Sequence, residues 1–249
     1  MSETLLRVRG VEKSFGGVVA NRDISLNVAD GEIVGLIGPN GSGKTTLFSS
    51  IVGYHPVDAG SIVFGNKEIT RLRVPQIARL GLHRTFQQTR IFTGMSCVQN
   101  MQISAPLVQG KGPVSLFAPF PVEATEKLEY LLAFVGLYEK RFLRGGELSF
   151  GQQKLLEFAM AMMSGPRLLL LDEPTAGVNP TLIDYIVNRL RTANDEFGIT
   201  LLVIEHNMHV IMTLAQRIYC LAHGHMLAEG SPQDIQDNPQ VVDAYLGAT

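Results

Sequence analysis

The stretch Gly38-Pro39-Asn40-Gly41-Ser42-Gly43-Lys44-Thr45 constrains this chain more than any other. Its spacing, G-x-x-x-x-G-K-[ST], is that of a phosphate-binding loop. The run Glu32 to Ile37 before it reads as a buried strand, and Thr45 to Val52 after it reads as a helix that stops at Gly53. Strand, glycine-rich turn and helix in succession aim several backbone N–H groups, and the positive end of a helix dipole, at one small volume. Glycines at 38, 41 and 43 let the backbone approach a phosphate with no Cβ in the way. Lys44 adds a point charge for the outer phosphates, and the Thr45 hydroxyl can ligate Mg2+.

Such a loop needs a second group to hold the metal and a third to activate water. Leu168 to Leu171 is a continuous apolar run, read as a central parallel strand, and it ends in Asp172-Glu173-Pro174. Ligands of open α/β sheets bind at the carboxyl ends of their strands, which is where Asp172 falls. A carboxylate there can hold Mg2+ beside Thr45. Glu173, next along the strand exit, can reach the attacking water as general base.

Bulk properties exclude other classes. The 249 residues suffice for one large or two small domains, and the net charge of −2 gives no electrostatic case for a nucleic-acid partner. The two cysteines, Cys97 and Cys220, form no C-x-x-C pair, so a reducing compartment is expected. No apolar run approaches the roughly 18 residues of a membrane span, and the first residues lack a signal-peptide core. The expectation is a chain that is cytoplasmic by itself.

Alternating Leu6, Val8, Ile24, Leu26 and Val28 predict half-buried antiparallel strands over 5–30, turning at Phe15-Gly16-Gly17. Ser61 to Phe64 returns to the same small sheet. Pro75 opens a short helix that runs to Leu80. Proline and glycine are dense from there to about Phe120, which predicts loops joining short helices, and Glu123 to Leu137 has helical spacing. Ser149 caps a helix to about Met163, with Gln152 at the capping-box position. Pro180 to Ala193 is read as a helix and Thr200 to Ile204 as a buried strand ending at Glu205-His206. A helix to about Ala215, a hairpin around His223-Gly224-His225 and a last helix from Ser231 complete the chain. The two hairpin histidines point apart with no third ligand near, so no metal pair is assigned to them. Residues 87–145 are read as a helical subdomain inserted into a domain made of 1–86 and 146–249.

These motifs, in this order and over nearly the whole chain, resemble the nucleotide-binding subunit of an ABC transporter. The resemblance implies an α/β fold: a P-loop NTPase (RecA-like) core with an antiparallel β subdomain and an inserted α-helical subdomain. It implies ATP and Mg2+ as ligands. Phe15 matches the aromatic that stacks on adenine. Gly38, Pro39, Asn40, Gly41, Ser42, Gly43, Lys44, Thr45 and Thr46 match the phosphate contacts, with Thr45, Asp172 and Gln87 at the metal. Gln87 also matches the residue that senses water and links the site to the membrane subunit. Glu173 is the implied catalytic base and His206 the side chain that contacts the γ-phosphate. Ser149 and Gly151 match signature positions that bind ATP held by an opposite subunit.

Two departures narrow the resemblance. Phe150 stands in the signature where Gly is commonest, and Asn179 follows where Asp is usual. Both are similar to the ATP-binding subunits of branched-chain amino acid importers, as are Arg84-Thr85-Phe86-Gln87, Arg90-Ile91-Phe92 and the ending Ala244-Tyr245-Leu246-Gly247. Met160 stands where many relatives carry Arg. The implied partners are a second ATPase copy or a sister ATPase, transmembrane permease subunits and, indirectly, a periplasmic solute-binding protein, on the inner face of the plasma membrane. The rival readings are a lipopolysaccharide-exporter ATPase and a soluble non-transport ABC ATPase. The chain has none of the coiled-coil or zinc-bearing inserts, nor the second cassette, that would favour the latter.

Overall fold

The computed structural model describes residues 3–85, 90–106 and 120–246. The chain divides into two compact units, one of residues 1–87, 167–176 and 190–249, the other of 88–166 and 177–189.

In the first unit, β1 (Thr4–Phe15) and β2 (Val18–Ala29) pair antiparallel, and β4 (Ala59–Phe64) joins the free edge of β1. The short β5 (Lys67–Glu68) completes a four-stranded sheet in the order β2-β1-β4-β5. The alternation read from the sequence is the cause: Leu6, Val8, Val11, Ile24, Leu26 and Val28 are all buried, with polar residues between them.

A second sheet has six strands in the order β10-β9-β3-β8-β7-β6. These are β3 (Ile33–Ile37), β6 (Leu82–Arg84), β7 (Leu168–Asp172), β8 (Thr200–Ile204), β9 (Arg217–Ala222) and β10 (His225–Gly230). All neighbours pair parallel except β10, which folds back on β9 as the expected hairpin. Every residue of β3, β7 and β8 is buried. That is why these strands read as unbroken apolar runs rather than as alternations.

Helices α1 (Lys44–Ile51), α2 (Val74–Ala78), α7 (Met208–Leu214), α8 (Pro232–Gln236) and α9 (Pro239–Leu246) belong to this unit. The last helix expected from Ser231 is two helices. Asn238, next to Pro239, is disfavoured in the helical region, so the chain breaks there and restarts. Strand β6 was not expected. Its three residues are too few to show a period, and pairing with β7 alone defines it.

The second unit holds α3 (Cys97–Ser104), α4 (Val122–Phe134) and α5 (Phe150–Met163), with the first residues of α6 (Pro180–Phe197). It is wider than the 87–145 insert read from the sequence, because α5 packs on both α3 and α4. Leu155, Leu156, Ala159, Met162 and Met163 of α5 are buried. The fully buried Asn100 is satisfied on every side: its Oδ1 accepts from Phe92 N at 2.7 Å, and its Nδ2 donates to carbonyls of Phe92, Met95 and Ser96. Among the described residues no helix is long and apolar enough to cross a membrane.

Leu202 on β8 is 0% exposed and sits between β3 and β7. Leu202→Ala is expected to destabilise the protein by about 2–5 kcal/mol, read as a lower urea midpoint at unchanged slope.

Candidate nucleotide-binding site

The loop after β3 is held open by its own backbone. Gly43, the N-cap of α1, has φ +100, and a Cβ there would collide with the Ala20 carbonyl and the Asn21 amide of β2. The same Asn21 donates to the Gly43 carbonyl at 3.1 Å, pinning the turn. Gly38 is equally confined, since a Cβ would run into the Leu221 carbonyl of β9. Helix α1 begins with no side-chain cap and no acidic residue in its first turn. Its first N–H groups have no acceptor within the helix, so an anion is the partner they lack.

Lys44 folds back over this loop. Its Nζ donates to the Gly38 carbonyl at 2.7 Å, the Pro39 carbonyl at 3.0 Å and Ser42 Oγ at 3.4 Å. Burial pushes its pKa below the usual lysine value, while the charges of Glu173, Cys220 and Asp172 act in the opposite direction. Asp172 and Cys220 lie on β7 and β9 and Glu173 directly follows β7, so the loop and the two acids share one neighbourhood. Thr45 is exposed and Thr46 half-buried.

At the end of β7, Asp172 is buried and accepts from Arg84 Nη2 at 2.6 Å. Removing one partner of a buried ion pair costs about 3–5 kcal/mol. Glu173 follows with φ +51, and its Oε1 lies 2.9 Å from His206 Nε2 at the end of β8. Glu205 explains why these two exits stay together. Its buried carboxylate accepts from Thr175 N at 2.9 Å and Thr175 Oγ1 at 2.6 Å, and from the N–H groups of His206 and Asn207 at 3.1 and 3.3 Å.

The structure thus brings Lys44, Asp172, Glu173 and His206 into one body. Phe15 sits at the end of β1, 44% exposed, with its ring edge-on to His55 at 5.2 Å. Gln87 lies outside the described residues. Ser149 and Gly151 lie in the helical unit. Ser149 is exposed and makes the expected capping box: its Oγ accepts from Gln152 N at 3.4 Å, and Gln152 Oε1 accepts from Ser149 N at 3.1 Å. Gly151 is buried, and a Cβ there would collide with Leu182 and stand 3.1 Å from Val178.

Three side chains at the site are not legible in the sequence. Arg84 reads only as part of a motif and Glu205 only as a strand end, without their partners. Tyr245 reads only as part of the chain's ending, yet its hydroxyl accepts from Gly38 N at 2.8 Å, and burial pushes its pKa up to about 12. The only signal for each is a polar side chain beside an apolar strand or on a terminal helix.

A glycine-rich turn from a buried parallel strand into an uncapped helix, with a lysine at the helix start and two carboxylates at the end of the next strand but one, defines a P-loop nucleoside triphosphatase. Residues 21–176 match the ABC transporter family, and residues 225–249 match the branched-chain amino acid ATP-binding cassette transporter family. The chain is 37% identical over 253 residues to LivG of Salmonella typhimurium, a high-affinity branched-chain amino acid transport ATP-binding protein, with 99% of both chains covered. It is 38% identical over 253 residues to BraF of Pseudomonas aeruginosa, likewise with 99% of both covered. It is also 38% identical over 247 residues to LptB of Acidithiobacillus ferridurans, a lipopolysaccharide export ATP-binding protein, covering 99% of this chain and 98% of that one. The ADP conformation of MJ1267, an ATP-binding cassette of an ABC transporter, superposes with a TM-score of 0.88 at 34% identity, over 99% of this chain and 100% of that one. The chain belongs to the ABC transporter family and is its ATP-hydrolysing cassette.

Cys220 of β9 is buried near Lys44, and burial raises its thiol from 9.0 to about 11. Thiolate is the reactive form, so at pH 8 the Cys220 thiolate should be roughly 100-fold scarcer than that of an ordinary thiol, and reaction with a disulfide reagent should be slower, by about 10-fold or more. Comparing native with urea-unfolded protein checks this.

Proposed function

We propose that this chain is the ATPase subunit of an importer for branched-chain amino acids or a similar small polar solute. In this reading it works on the cytoplasmic face of the membrane, beneath permease subunits and as one of a pair of ATPase subunits. The observation that carries the enzymatic part is the 2.9 Å contact between Glu173 Oε1 and His206 Nε2, in the same body as the Lys44 loop. The similarity to LivG and BraF over 99% of the chain supports the importer part.

The loop N–H groups and Lys44 bind the phosphates, and Phe15 offers its exposed ring to the adenine. Among the described residues no cluster of three or more His, Cys, Asp or Glu could hold a metal alone. A hydroxyl and a carboxylate, Thr45 and Asp172, suit Mg2+, which is usually bound through one or two carboxylates and the substrate's own phosphates. Once bound, Mg2+ neutralises charge on the outer phosphates. Glu173 takes the proton of the attacking water. His206 holds that carboxylate by the contact described, and its partly exposed ring is assigned to the γ-phosphate. Gln87 is assigned to the same water and metal. Ser149 and Gly151 are assigned to ATP held by the partner ATPase, where the exposed Ser149 hydroxyl and the first N–H groups of α5 meet its γ-phosphate. ATP then acts as the ligand that favours the closed pair, and hydrolysis releases it.

Glu173→Gln removes the proton acceptor while keeping the side chain's size. It is expected to lower ATP turnover by about 10²- to 10⁴-fold and to leave an ATP-stabilised dimer visible by light scattering. A monomer in ATP, with turnover near the parent's, would defeat the reading. Co-purification from membranes separates the transport readings: a permease with a solute-binding protein supports import, and lipid-export components would favour the function of the LptB relative.

A further inference from the structure

One side chain of the first unit ties together both protein ends of the expected metal site. Arg84 closes β6, and its guanidinium forks. Nη2 donates to Asp172 Oδ2 at 2.6 Å, and Nη1 donates to Ser49 Oγ at 2.9 Å. Ser49 Oγ in turn donates to the carbonyl of Thr45 at 2.8 Å. The chain of bonds therefore runs from Asp172, at the end of β7, to the first turn of α1. It is enclosed. The Arg84 and Asp172 side chains are 7% and 2% exposed, and the guanidinium lies 5.7 Å from the ring centroid of the fully buried Phe48.

We propose that Arg84 is a positioning residue for the metal: it holds the Asp172 carboxylate at a set place relative to Thr45 before Mg-nucleotide arrives. This rests on the reading of Thr45 and Asp172 as the metal-holding pair. The physical reason is the position of Asp172. A buried carboxylate without its partner turns toward the nearest remaining cation, and Lys44 is close enough to feel its charge. That turn removes it from the metal. Arg84 prevents it by occupying Oδ2, which leaves Oδ1 for the metal or its waters.

The planar fork matters as much as the charge. Two donors fixed in one plane can hold a carboxylate and a hydroxyl at once, which a single ammonium cannot do with the same geometry. Backbone register delivers the side chain. Arg84 is paired with Leu170 of β7, and Thr85 N donates to the Leu170 carbonyl at 2.9 Å, so the strand exit beside Arg84 is the one that bears Asp172.

A competing reading gives the opposite sign. If Arg84 merely neutralises Asp172, it repels Mg2+, and its removal should tighten metal binding. The test uses the full-length chain as parent, Arg84→Met, Arg84→Lys, Ser49→Ala and Asp172→Asn. Binding of trinitrophenyl-ATP is measured without metal and across a Mg2+ titration, with ATP turnover followed over the same titration. Metal-free nucleotide binding should stay within about twofold of the parent in the Arg84 and Ser49 variants, since the loop and Lys44 hold the phosphates. The half-saturating Mg2+ concentration should rise at least about 10-fold in Arg84→Met, the cost typical of losing a residue that orients a metal ligand. Arg84→Lys and Ser49→Ala should shift it the same way by less. An unchanged or lower Mg2+ requirement in Arg84→Met and Arg84→Lys would overturn the proposal. Should Arg84→Met not fold, Arg84→Lys and Ser49→Ala decide it by the same criterion. Asp172→Asn must itself raise the Mg2+ requirement. If it does not, the metal-site reading fails and the role of Arg84 falls with it; if it does while the Arg84 variants match the parent, only the Arg84 inference fails.

Discussion

Parallel pairing of β8 between β3 and β7 is the constraint from which the site follows. Parallel neighbours end on the same edge of a sheet, and here the register sets Ile204 of β8 opposite both Leu36 of β3 and Asp172 of β7. Strands buried along their whole length can present polar groups only where they stop. The phosphate loop, the Asp172-Glu173 pair and the Glu205-His206 pair therefore emerge side by side, although they are far apart in the chain.

Polar groups gathered at buried strand ends need partners, and each has one. Asp172 has Arg84, Glu173 has His206, and Glu205 has two donors from Thr175 and two backbone N–H groups beyond its own strand. The Glu205 network is the one that does no chemistry in the proposed mechanism. It fastens the loop after β7 to the loop after β8, which keeps Glu173 and His206 in register. The helix of the phosphate loop is the exception to this completeness: α1 starts with neither a cap nor an acid. A fold that pairs the Asp172, Glu173 and Glu205 carboxylates and leaves this helix end open is prepared for an anion.

Lys44 shows how that preparation is balanced. Its carbonyl partners hold the side chain over the loop, and burial works against its charge, which a phosphate would offset in the proposed mechanism. The terminal helix takes part as well, since Tyr245 accepts from the first N–H of the loop. The stretch matched to the branched-chain amino acid cassette family thus reaches the most general element of the site.

Much of this was legible in the sequence wherever the cause is local. The loop spacing, the capping box of Ser149 and Gln152, the C′ glycine at 53 and the apolar runs of β3, β7 and β8 each depend on neighbours a few residues away, so their geometry is written in their order. Partners joined through the sheet were not legible. Arg84 and Asp172 are 88 residues apart, and Gly38 and Tyr245 are 207 apart. No spacing rule links such pairs, because strand order and register bring them together. Strand β6 was missed for the same reason: three residues have no period, and only the edge of β7 makes them a strand. Residue order by itself determined which groups could do phosphate chemistry. Tertiary pairing decided which buried cation and which buried carboxylate hold those groups in place, because that depends on which strand ends lie next to one another.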